Sequence, residues 1–131
     1  MWTLKQYPKV NGGIVVLDPF TGDVKALAGG FNYKSSEFNR VTQAKRQPGS
    51  AFKPIVYASA LEQNVSPCDY IEAEQKTYSE KDKDWTPANA DNEYEGKYSF
   101  EGALTESVNT VSVKVLEKAG IDNTISLAND M

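Results

Sequence analysis

Ile14-Val15-Val16-Leu17 and Val24-Lys25-Ala26-Leu27-Ala28 bracket the segment Asp18-Pro19-Phe20-Thr21-Gly22. The first run is rich in β-branched side chains and suits a buried strand, and the second is a shorter candidate. Proline fits the first central position of a turn, and Gly22 supplies a residue that tolerates positive φ. The segment therefore predicts a β-hairpin, flanked by Gly12-Gly13 and Gly29-Gly30. No other stretch reads as a convincing strand, and a two-stranded hairpin alone is marginally stable. The chain thus predicts a sheet that is not finished within its 131 residues.

Helical signals follow. Residues 31–49 are polar and aromatic with little periodicity, and read as an ordered connection. A helix is expected from near Ser50 to about Gln63, where Phe52, Ile55, Val56, Ala58, Ala60 and Leu61 give an apolar surface fit for burial on most sides. Pro54 falls in its first turn, where a missing N–H costs least. Residues 64–98 look loop-like, with Asp82-Lys83-Asp84 and Asp91-Asn92-Glu93 as solvated charge clusters. Phe100 to Glu106 reads as a short helix. Asn109 is placed to cap another, which stops at Gly120, and Asp122-Asn123 opens a third that is still running at Met131.

Composition then narrows the chemistry. Eighteen acidic against fourteen basic residues give a net charge of -4, which argues against a broad nucleic-acid face. Histidine is absent, which removes Ser-His-Asp and Cys-His catalysis and His-ligated zinc together. Cys68 is the single cysteine, so an intrachain disulfide is excluded. No window approaches the roughly 18 apolar residues of a membrane span. No leader pattern opens the chain, so any export signal or anchor is expected outside it.

Within those limits, Gly49-Ser50-Ala51-Phe52-Lys53 offers a nucleophile and a base. A serine at a helix N-terminus lies among unpaired N–H groups at the positive end of the helix dipole. A lysine three residues later shares its face, about 5–6 Å away at Cβ. If burial neutralises that lysine, it can accept the serine proton. The Ser50 N–H can help hold an oxyanion, a role worth about 3–4 kcal/mol per donor. Taken alone, the same residues also fit a helix cap with an exposed lysine. Further along, Ser107-Val108-Asn109 supplies a hydroxyl able to relay a proton and a carboxamide able to hold lysine and substrate. These two also read as caps of the helix that follows. The set S-x-x-K, S-D-N and K-T-G marks β-lactamases and penicillin-binding proteins.

The block from Phe38 to Pro54, which contains Arg46-Gln47-Pro48-Gly49-Ser50-Ala51-Phe52-Lys53, resembles the active-serine segment of class A penicillin-binding proteins. Leu17-Asp18-Pro19-Phe20-Thr21-Gly22 with Ala28-Gly29-Gly30 is similar to that family's first hairpin. Trp85-Thr86-Pro87-Ala88-Asn89 and Gly102-Ala103-Leu104 lead to Ser107-Val108-Asn109 in the family's order. The resemblance covers about residues 11–131. It implies an α+β fold of the α/β-sandwich, β-lactamase/transpeptidase-like type, with residues 1–131 as the N-terminal portion of one domain. It implies that Ser50 attacks the penultimate D-Ala carbonyl of a peptidoglycan stem peptide and passes the acyl group to an amine on a neighbouring stem. Lys53 would be the base, Ser107 the proton shuttle, and Asn109 the ligand of lysine and substrate. β-Lactams should acylate the same serine, and neither a metal nor an organic cofactor is implied. In the family the domain follows a membrane anchor and a glycosyltransferase domain, and works on the outer face of the bacterial inner membrane.

One family motif is not found. K-[ST]-G has no match, and the nearest string, Lys118-Ala119-Gly120, lacks the hydroxyl and sits at an expected helix end. The C-terminal sheet strands are likewise expected beyond Met131, so the remaining half of the domain becomes an expected partner. The 131-residue polypeptide by itself is expected to resist efficient acylation. The rival readings are a serine β-lactamase and a non-enzymatic β-lactam sensor or scaffold, and residues 64–98 offer no clear deacylating base. Trp85 borders the cleft or packs, with packing favoured. Arg40 and Arg46 are expected to pair with acidic residues, Cys68 to fill space, and Tyr94 and Tyr98 show no spacing that demands a site.

Overall fold

The computed structural model describes residue 6, residues 8–80 and residues 83–131. Asp82 of the expected charge cluster lies outside them. The chain divides into two compact units, Met1–Gln47 and Pro48–Met131.

The first unit holds the hairpin. Strand β1 (Ile14–Leu17) pairs antiparallel with β2 (Val24–Ala28), with Ile14 opposite Ala28 and Val16 opposite Ala26. The register then shifts between Val16 and Leu17, so that Leu17 faces Val24 and Lys25 is the extra residue of a bulge. Asp18 closes the turn: its Oδ1 accepts from the N–H groups of Phe20 and Thr21, and its backbone N–H donates to Asp23. Gly22 has φ +75°, the left-handed conformation the turn chemistry required. Beyond β2, Gly29 lets Asn39 come close, since a Cβ built there would lie 1.8 Å from the Asn39 Oδ1.

Two expectations fail in this unit. Ile14, Val16, Leu17 and Val24 are each about half exposed or more (63%, 46%, 54% and 57%), where a buried strand was predicted. Both faces of the hairpin carry apolar side chains, a pattern suited to a sheet covered on each side, and among the described residues of this unit nothing covers either face. Among the described residues Arg40 pairs with no acid. Its guanidinium donates to the carbonyls of Phe38 and Gly29 and lies 5.7 Å from the Phe38 ring centroid.

The second unit is built on helix α1 (Lys53–Glu62), preceded by a 3₁₀ turn over Gly49–Phe52. The expected helix at Ser50–Gln63 therefore starts in the tighter form. Pro54 has no N–H to donate to the Ser50 carbonyl, which accepts instead from the Lys53 N–H three residues on, the 3₁₀ pattern. Helix α2 (Phe100–Thr105) is capped by the Ser99 hydroxyl, which accepts from the Gly102 N–H. Helix α3 (Asn109–Ala119) follows, then α4 (Ile121–Asp130) across Gly120. Val56, Tyr57 and Ala60 of α1 meet Phe100, Ala103, Val111 and Val115 in one core, with Tyr57 and Phe100 edge to face at 4.7 Å. On α1 Val56, Tyr57, Ser59 and Ala60 are buried and Ile55 and Ala58 half-buried, while Leu61 is exposed.

Residues 64–98 are not simply loop. Strand β3 (Tyr70–Glu72) pairs antiparallel with β6 (Lys97–Ser99), and β4 (Tyr78–Glu80) with β5 (Lys83–Trp85). Three residues are too few for alternation to register in a sequence. Ile71 on β3 joins the core, and the Lys114 ammonium of α3 donates to the carbonyls of Glu72 and Glu74. Cys68 is exposed and fills no space.

Candidate active site

Ser50 and Lys53 sit where the chain enters α1. Gly49 has φ +58°, which turns the backbone into the 3₁₀ segment that carries Ser50. Lys53 is the first residue of α1 and is half-buried.

Ser107 and Asn109 arrive by a different route. Helix α2 ends in a paired closure: the Ser107 N–H donates to the Leu104 carbonyl, and the Val108 N–H to Ala103. That closure needs a left-handed residue at its first position outside the helix. Ser107 takes it, with φ +56°. Val108 is buried and extended and leads into α3, so that Asn109 becomes the first residue of α3. The Asn109 side chain does not cap α3, contrary to expectation, because it is engaged elsewhere.

These four residues converge on the Lys53 ammonium. Nζ donates to the Ser107 carbonyl (2.5 Å), the Ser107 Oγ (2.9 Å) and the Asn109 Oδ1 (2.7 Å). Three donors meet three acceptors, which is the full capacity of an ammonium. The Ser107 hydroxyl in turn donates to the Ser50 Oγ at 3.2 Å. Among the described residues no hydrogen bond joins Ser50 directly to Lys53, so Ser107 bridges them. The Asn109 Nδ2 donates to the Ala88 carbonyl at 2.7 Å. With a carbonyl at one end and an ammonium at the other, the carboxamide has one electrostatically sensible orientation.

Burial holds the Lys53 pKa below the ordinary lysine value. Desolvation disfavours the charged amine, while the three acceptors favour it. The result is an amine that is held in place and easier to deprotonate than a surface lysine.

Trp85 does not join this cluster. It lies on β5, half exposed, with its ring 5.6 Å from that of Tyr78 across the β4–β5 pair. Two backbone carbonyls, those of Ser107 and Ala88, complete the site and carry no signal in a sequence. Asn89 lies beside them. Its string Trp85-Thr86-Pro87-Ala88-Asn89 was legible, but not its contacts.

A model of the penicillin-binding protein transpeptidase domain matches residues 12–131. The chain belongs to that family. It is 42% identical over 123 residues to penicillin-binding protein 1A of Neisseria lactamica, covering 92% of this chain and 15% of the relative. To penicillin-binding protein 1A of Aquifex aeolicus it is 41% identical over 117 residues, 88% of this chain and 16% of the relative. The crystal structure of penicillin-binding protein 1A from Haemophilus influenzae superposes with a TM-score of 0.88 at 33% identity, over 98% of this chain and 19% of that one. The fold is therefore the α+β transpeptidase type. The chain spans less than a fifth of these relatives' lengths.

Proposed function

We propose that this transpeptidase-family chain carries the nucleophile of a peptidoglycan D,D-transpeptidase. The Ser50–Ser107–Lys53 hydrogen-bond chain is the observation that carries the reading. In the proposed step the Ser50 Oγ attacks the penultimate D-Ala carbonyl of a stem peptide. Its proton passes to the Ser107 Oγ, and the Ser107 proton passes to neutral Lys53. The C–N bond to the terminal D-Ala then breaks, Ser107 passes a proton to the leaving amine, and protonated Lys53 replaces it and becomes neutral again. An amine of a neighbouring stem then attacks the acyl-enzyme and gives up a proton through Ser107 to Lys53. The acyl C–O bond breaks, and the proton returns by the same path to the Ser50 oxygen as the cross-link is completed. Asn109 holds the lysine and is placed to meet the substrate amide. The N–H of Ser50 lies in the first turn of the 3₁₀ segment, where such groups lack intrahelical acceptors and can face an oxyanion.

A β-lactam would acylate the same serine. The exposed apolar hairpin supports a completing partner, namely further transpeptidase chain carrying a K-[ST]-G strand that covers β1 and β2. Activity is proposed for the domain so completed, on the outer face of the bacterial inner membrane, with the anchor outside this chain. No helix among the described residues is long and apolar enough to cross a membrane.

The test is cross-linking by the intact enzyme that carries this segment, given a D-Ala-D-Ala pentapeptide donor and an amine acceptor. Release of D-Ala with formation of the cross-linked product is expected, and both should vanish in Ser50→Ala. Persistent product in that variant would remove Ser50 from its role. Rapid hydrolysis of the β-lactam acyl-enzyme would instead favour a β-lactamase.

A further inference from the structure

Asn89 is buried, with 7% of its surface exposed, and the proposed reaction gives it no part. Its carboxamide is nevertheless fully engaged. Oδ1 accepts from the Thr110 N–H at 3.0 Å, at the start of α3. Nδ2 donates to the Glu93 carbonyl at 2.7 Å and to the Thr110 Oγ1 at 3.2 Å. The Thr110 hydroxyl passes the chain on to the Ala73 carbonyl at 2.8 Å. Every member is satisfied, and such buried networks fix one arrangement because a half-made one is costly.

The neighbouring residues make the reciprocal contact. Asn89 reaches the backbone and hydroxyl of Thr110, while Asn109 reaches the backbone carbonyl of Ala88. Residues 88–89 and 109–110 are thus clasped in both directions. The Ala88 carbonyl, together with the Lys53 ammonium, tells the two ends of the Asn109 carboxamide apart. It takes the NH₂ end and leaves Oδ1 for Lys53. Without that carbonyl in place, the NH₂ end loses its acceptor and the carboxamide is held from the Lys53 side alone.

We infer that Asn89 is a positioning residue for acyl transfer, which locks the Ala88 carbonyl against α3 so that the Asn109 oxygen faces Lys53. The inference rests on the acyl-transfer reading above. Asn89 touches none of the reacting groups and acts through Asn109.

The experiment uses the intact enzyme and a fluorescent penicillin, with the rate of labelling normalised to the sites labelled at completion. Asn89→Ala should slow labelling about tenfold, the scale of one misplaced buried hydrogen bond, with completion unchanged. In an Asn109→Ala background, Asn89→Ala should slow labelling no further. A purely structural role would lower Tm, reduce the fraction of labelled sites and leave the normalised rate alone. Labelling of Asn89→Ala at the wild-type rate would overturn the inference. So would a slowing that persists undiminished in the Asn109→Ala background. Should the alanine variant not fold, Asn89→Asp keeps the acceptor for Thr110 but loses both donors, and the same two outcomes decide. Wild-type enzyme that takes no label would remove the acyl-transfer reading, and this inference with it.

Discussion

Ser107 occupies a backbone position that glycine adopts freely and serine adopts at a cost. A non-glycine residue in the left-handed region loses about 1–2 kcal/mol. The closure of α2 nevertheless places serine there, and both its hydroxyl and its carbonyl are turned onto Lys53. Ser107→Gly should therefore raise the stability of the folded chain, by no more than about 1 kcal/mol once the greater freedom of an unfolded glycine is included. The same variant should label with β-lactam at least about 100-fold more slowly, the usual contribution of a proton-transferring group. A thermal melt and a labelling time course test the two halves. Lys53 adds a pH dependence. Its folded pKa lies below the unfolded one, so the unfolded state binds more protons between the two values. The burial penalty is thus full below the folded pKa and is relieved as pH rises through it. Acylation should rise with pH over the ionisation of Lys53, with a midpoint below the ordinary lysine value. Lys53→Arg, which cannot lose its proton, should abolish that rise. A flat pH profile in the wild type would contradict Lys53 as the proton acceptor.

At the scale of elements, helix ends decide where the chemistry sits, and they were unevenly legible. The stop at Gly120 could be read directly from a glycine. The end of α1, expected at about Gln63 and observed at Glu62, carries no glycine to mark it. Asn64 takes φ +62°, and the N–H groups of Asn64 and Val65 donate to Leu61 and Ala60 in the same closure used by α2. Asparagine tolerates the left-handed region better than alanine, so Asn64→Ala should cost about 1 kcal/mol and Asn64→Gly nearly nothing. Equal stability of the two variants by chemical denaturation would contradict that assignment. The strands β3 to β6 escaped notice for a different reason. Each has three residues, and Tyr-Ile-Glu or Lys-Asp-Trp carries too little alternation to stand out from loop. The 3₁₀ entry into α1 was hidden because Ser50 and Lys53 share a face in either helical form.

On the scale of the whole molecule, the side chains of the candidate site were legible and its backbone was not. By residue type and spacing alone Ser50, Lys53, Ser107 and Asn109 fit helix caps as well as a catalytic set, and the family resemblance is what singles them out; the fold brings them within hydrogen-bond reach of one another. Asn109 was given a capping alternative that its contacts with Lys53 and Ala88 exclude. The carbonyls of Ser107 and Ala88 belong to any residue, so no pattern could single them out. The hairpin is legible in the sequence and its exposure is not, because apolar runs report a need for cover without saying which residues supply it. The central claim is that the Ser50 hydroxyl is the reactive group of this arrangement. Its most direct test is peptide mapping by tandem mass spectrometry of the intact enzyme after brief treatment with benzylpenicillin. The account predicts one penicilloyl group, on Ser50. An adduct on any other residue, with Ser50 unmodified, would contradict it.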